Sequence, residues 1–113
     1  MDKRLYETRK SIMERLISDP NTHPSCKIIV QEVYNRYLNS ENLWEYFYTL
    51  VEVAELKVGD YIPESYREAA YPTTDGYLLY FFVPELDDGH DCNLMLEIVC
   101  DERYKIREIY CIH

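Results

Sequence analysis

The apolar residues of this chain keep two different periods, and the change between them most constrains the fold. Up to about residue 55 they recur every three to four positions; from Gly76 onward they alternate or run continuously. The first spacing lines one stripe of a helix, the second one face of a strand. A chain that switches once, from helices to strands, folds as α+β: two or three N-terminal helices packed on one face of a C-terminal antiparallel β-meander of three or four strands. At 113 residues there is material for one domain spanning 1–113 and for a core that holds without disulfides or metal.

The elements follow from local chemistry. Leu5, Ile12, Met13, Leu16 and Ile17 predict a helix from Lys3 to Ser18, capped by Asp2. The segment Asp19-Pro20-Asn21-Thr22-His23-Pro24 ends it. Ser25 then reads as the cap of a second helix, Cys26 to Leu38, whose stripe is Cys26, Ile29, Val30, Val33 and Tyr37. Leu43, Trp44, Phe47, Leu50, Val51 and Ala54 fit a third helix capped by Ser40 and running to about Glu55; the strand formers of 46–51 leave a strand as the alternative. Gly59-Asp60 breaks the segment, and a short helix from Pro63 to Ala70 follows, with proline near its first position.

The last third reads as sheet. Gly76 to Val83 is continuous and aromatic, which predicts a central strand covered on both faces. Asp87-Asp88-Gly89 makes a turn. From Cys92 to Asp101, Cys92, Leu94, Leu96, Ile98 and Cys100 alternate against Asn93, Met95, Glu97, Val99 and Asp101, so Cys92 and Cys100 read as small hydrophobes on a buried face. A tight turn near Glu102 to Tyr104 leads to a last strand, Lys105 to Ile112, in which Ile106, Glu108, Tyr110 and Ile112 share one side.

Charge narrows the partners. The chain carries −9, unevenly spread. Residues 41–102 hold fifteen acids against Lys57 and Arg67, whereas both ends are mildly basic. Such a surface repels a phosphate backbone, which argues against nucleic acid. It attracts basic proteins and speeds their encounter. Twelve tyrosines accompany the acids, and tyrosine serves core margins and interface anchors alike. No apolar run approaches the length of a membrane span, and the N-terminus has no secretory pattern. The four cysteines form no CxxC pair, so reduced thiols and a cytoplasmic setting are expected.

Motifs for chemistry are weak. The acidic stretch Glu85, Asp87, Asp88, His90, Asp91 lacks the ligand spacing of a calcium loop, and an Asp-Gly turn accounts for it. His23 and Cys26, or His90 and Cys92, adjoin in sequence, but an apolar setting makes an inert thiol. Glu52 with Glu55, and Glu64 with Glu68, are spaced as surface pairs on a helix. The three glycines are too scattered for a phosphate loop, and no cofactor is implied.

In size and charge the chain resembles small acidic bacterial immunity proteins; the likeness is one of character rather than of motif. The expectation is a non-enzymatic protein that neutralises a basic partner, in its most concrete form a cationic, nuclease-type toxin. The partner-binding residues would be Trp44, Glu45, Tyr48, Glu52, Glu55, Asp60, Tyr61, Glu64, Tyr66, Glu68, Asp87, Asp88 and Asp91. The competing expectations are a small-ligand or enzymatic module with a tyrosine-lined pocket between helices and sheet, and a structural subunit or homodimer marked by an exposed apolar patch.

Overall fold

The structure, a computed structural model, describes residues 3–37, 43–82 and 95–112. In chain order these form α1 (Lys3–Ser18), α2 (Pro24–Tyr37), α3 (Leu43–Ala54), a 3-10 helix (Glu64–Ala69), β1 (Tyr71–Pro72), β2 (Gly76–Phe82), β3 (Met95–Asp101) and β4 (Ile106–Ile112). The class is α+β with helices before strands, as the change of period implies. The expected caps Asp2 and Ser40, the Asp87-Asp88-Gly89 turn and Cys92 lie outside the described residues.

α2 is the centre of the packing. Its stripe Cys26, Ile29, Val30 and Val33 is fully shielded, meeting α1 and α3 at its flanks and β3 and β4 beneath. Its start differs from expectation. The helix begins at Pro24, whose fixed φ suits a first turn. His23 Nδ1 accepts the Ser25 N–H at 3.1 Å and so does the capping. Ser25, released from that task, donates its hydroxyl to the Ile109 carbonyl of β4 at 3.0 Å.

α1 buries Met13 and Leu16, but Leu5 is exposed. Between them Arg9, only 2% exposed, lies with its guanidinium 5.6 Å from the Phe47 ring centroid. Burial lowers its pKa from the ordinary arginine value. The guanidinium's weak hydration and planar shape let it pack on an aromatic face. α3 resolves the helix-or-strand choice as helix: Phe47, Leu50, Val53 and Ala54 are buried together, a grouping that only helical spacing produces. The helix expected from Pro63 to Ala70 is a 3-10 helix, with Pro63 just ahead of it.

The sheet runs in the order β1-β2-β3-β4, each strand antiparallel to the next. Leu79, Leu96, Ile98, Cys100, Ile106 and Ile109 face the helices and complete the core. Two strand expectations are corrected. β2 is not covered on both faces: Leu79 is buried, whereas Tyr80 and Phe82 are exposed. Its continuous apolar run comes from aromatic residues at outward positions, not from a second covering layer. In β4, Ile106 does not share a side with Glu108, Tyr110 and Ile112. Val99 pairs with Glu108 and Cys100 with Ile106, so Arg107 is an extra residue at an irregularity that reverses the phase.

The outer edge of β4 is met by the chain before the 3-10 helix. The Gly59 N–H donates to the Ile106 carbonyl and the Ile106 N–H to Asp60, both at 2.8 Å. Tyr61 bridges to Lys105, and the Ile62 N–H donates to the Tyr104 carbonyl at 2.8 Å. Gly59 supplies the left-handed φ of 98° at this bend. In the β3–β4 turn the Asp101 carboxylate accepts the N–H groups of Arg103 and Lys105, which lowers its pKa.

Candidate functional site: an open sheet face

Strand register sets which side chains share the side of the sheet turned away from the helices. Residues paired across neighbouring strands point the same way. Three rows result: Tyr71, Leu78, Val99 and Glu108; Tyr80, Glu97 and Tyr110; Phe82, Met95 and Ile112. Eight of these ten residues are apolar or aromatic, and two are carboxylates. Tyr71 is 62%, Phe82 51%, Tyr110 48% and Tyr80 39% exposed. A contiguous apolar face of this kind marks an interaction surface.

The face is internally ordered. Tyr71 and Tyr80 meet edge to face, with ring centroids 6.0 Å apart. A hydrogen bond to the Glu97 carboxylate, with some burial, raises the Tyr80 phenol above its ordinary pKa. Glu97 therefore stands between two tyrosines, Tyr80 on β2 and Tyr110 on β4. Among the three rows there is no basic side chain; Arg107 sits at the irregularity beside Glu108.

The residues expected to bind a partner are distributed differently. Trp44 and Glu45 lie on α3, and Tyr48 is exposed there. Glu52 and Tyr66 are brought together: the Tyr66 hydroxyl donates to Glu52 at 3.1 Å, and burial, helped by that bond, raises the phenol's pKa. Glu64 and Glu68 are exposed on the 3-10 helix. Glu55 pairs with Arg15 at 3.3 Å, Asp60 accepts the Lys57 N–H at 2.9 Å, and Tyr61 lies under the Lys105 ammonium at 6.0 Å. Asp87, Asp88 and Asp91 are outside the described residues. The expected set is thus partly committed to internal contacts. Sequence reasoning passed over Tyr80, Phe82, Glu97 and Tyr110, because an aromatic run reads as buried until the covering layer is known.

Two of the thiols are held away from chemistry. Cys26 is buried, its sulfur 3.9 Å from the Val53 carbonyl, and burial pushes its pKa up to about 11. Burial does the same to Cys100, again to about 11. A nucleophile needs the opposite shift. Because both folded values exceed the ordinary 9.0, the folded state keeps these protons longer than the unfolded chain. Their contribution to stability is therefore complete below pH 9 and lost as pH rises towards 11. We expect the melting temperature to fall over that window. Iodoacetamide at mildly alkaline pH should leave Cys26 and Cys100 unmodified in the folded protein and label both after unfolding. Rapid native labelling at these two positions, read by peptide mass spectrometry, would contradict this assignment.

Among the described residues no group of three or more His, Cys, Asp or Glu side chains is arranged to hold a metal ion, and no helix is long and apolar enough to cross a membrane. No family model matches the chain, and neither a curated protein nor a solved structure matches it significantly.

Proposed function

We propose that this chain is a non-enzymatic binding protein that neutralises a basic protein partner, docking it on the open face of the sheet. The observation that carries the reading is that face: Tyr71, Tyr80, Phe82, Tyr110 and Ile112 exposed around Glu97 and Glu108. Tyrosine anchors with a few carboxylates are what a protein interface uses for affinity and orientation. The charge of the chain decides the kind of partner. A second copy would set two −9 chains and their paired glutamates against each other, whereas a cationic protein is drawn in. The most concrete form is an immunity protein in the cytoplasm, seated on the phosphate-binding surface of a cationic, nuclease-type toxin.

Core packing supports protein docking over a ligand pocket. Ile29, Val30, Val33, Leu96 and Ile98, all at 0% exposure, fill the space between α2 and the sheet. The acidic ridge of Glu52 on α3 and Glu64 and Glu68 on the 3-10 helix supplies a second set of carboxylates for long-range attraction.

The test compares three immobilised baits against lysate of the source cell: wild type, a face variant (Tyr80→Ser with Phe82→Ser and Tyr110→Ser) and a ridge variant (Glu52→Gln with Glu64→Gln and Glu68→Gln). The expected result is one basic protein held by wild type, lost from the face variant, and retained by the ridge variant with a slower association rate. A partner that stays on the face variant, or one that is acidic, overturns the reading.

A further inference from the structure

The middle row of the open face has a more specific chemistry than charge alone, and resting on the binding reading above, we infer that Tyr80, Glu97 and Tyr110 form a slot for an arginine side chain of the partner. Cross-strand neighbours stand about 5 Å apart at Cβ, so the two rings flank the carboxylate on either side. Tyr80 is the cross-strand partner of Glu97, and its hydroxyl bonds the Glu97 carboxylate. A carboxylate has about four acceptor sites, so that single bond leaves room for an incoming donor pair.

A guanidinium fits this arrangement in two ways at once. Its edge offers parallel N–H groups that match a carboxylate fork, and its flat face stacks on an aromatic ring. A lysine ammonium makes the charge contact but brings neither the fork nor the plane. The protein already uses this pairing internally. Arg67 lies 4.8 Å from the Tyr104 ring centroid, and Tyr104 in turn stacks on Tyr77 at 4.1 Å and 13°. Arg9 lies over Phe47 in the same manner.

The flanking rows suit the surroundings of such a residue. Phe82, Met95 and Ile112 on one side and Leu78 and Val99 on the other supply apolar contact that excludes water from the central ion pair. Glu108 has Arg107 as its chain neighbour, which leaves Glu97 as the carboxylate flanked only by tyrosines.

The experiment titrates the folded full chain with two peptides of equal charge, nona-arginine and nona-lysine, at moderate salt, following backbone and tyrosine resonances by NMR. Nona-arginine should bind wild type about fivefold more tightly, the gain given by one exposed guanidinium–aromatic contact, with the largest shifts at Tyr80, Glu97 and Tyr110. Tyr80→Leu with Tyr110→Leu should erase the preference while retaining residual attraction. Glu97→Gln should weaken both peptides, and Tyr80→Phe, which keeps the ring, should keep most of the preference. Equal binding of the two peptides with shifts on the sheet face overturns the arginine slot and leaves the basic-partner reading standing. Shifts confined to α3 and the 3-10 helix overturn the docking face itself.

Discussion

Gly76→Ala is expected to destabilise the protein by about 3 kcal/mol, the upper part of the range for overpacking, and to lower its melting temperature by roughly 10 °C. Gly76 opens β2 opposite Asp101. A methyl group there would overlap the Cys100 carbonyl oxygen and come within 2.6 Å and 2.8 Å of the Asp101 carbonyl carbon and Cα. These are backbone atoms of the paired strand, and they have no rotamer to escape into. The two strands must part where the Tyr77–Tyr104 stack and the Thr73 N–H bond to the Gly76 carbonyl close the sheet. Gly59→Ala makes the contrast. Nothing lies near its added Cβ, but its φ of 98° strains any L side chain, by about 1 kcal/mol. Denaturant midpoints of the two variants separate the steric effect from the conformational one. A Gly76→Ala protein as stable as wild type would show that β2 and β3 do not approach as described.

Ile98→Ala is the second large effect. Ile98 is at 0% exposure in the middle of β3, between Leu79 on β2 and Ile109 on β4, under α2. Removing three carbons from a filled site costs about 2–5 kcal/mol, because the shielded neighbours cannot collapse into the space. Phe82→Ser, on the opposite side of the same sheet, is expected to change stability by less than about 1 kcal/mol, since only cross-strand contacts are lost. The pair measures one-sided coverage directly. Equal losses at both positions would mean that the face turned from the helices is buried after all.

How much of this was legible in the sequence follows from where the signal is local. The α2 stripe Cys26, Ile29, Val30 and Val33 was readable because a helix writes its own period into the chain. The start of α2 was not, because Ser25 and His23 can both cap and Pro24 between them settles the matter. Glu108 and Tyr110 were grouped correctly, but Ile106 was placed with them because one extra residue, Arg107, inverts a period-two count. The open sheet face depended on information no local window contains. Tyr80 and Phe82 look like core until it is known that α2, with α1 and α3 packed on it, covers the other side. The acids were visible as charge; that Glu55 and Asp60 are engaged by Arg15 and the Lys57 N–H is a tertiary fact.

The occupied margin of β4 has a consequence for how this molecule can stick to others. A protein that shows aromatic rings to water risks unwanted self-association, and the most damaging form is strand-by-strand growth, in which every added copy presents a fresh border for the next. Here Gly59 and Asp60 hold Ile106, Tyr61 bridges Lys105, and the Ser25 hydroxyl holds Ile109. The start of that border is thereby closed to an added strand, and the proposed guest, seated on the flat surface, would cover the rings without presenting a new border. Strand-by-strand growth from the start of β4 should accordingly find the backbone groups there already taken.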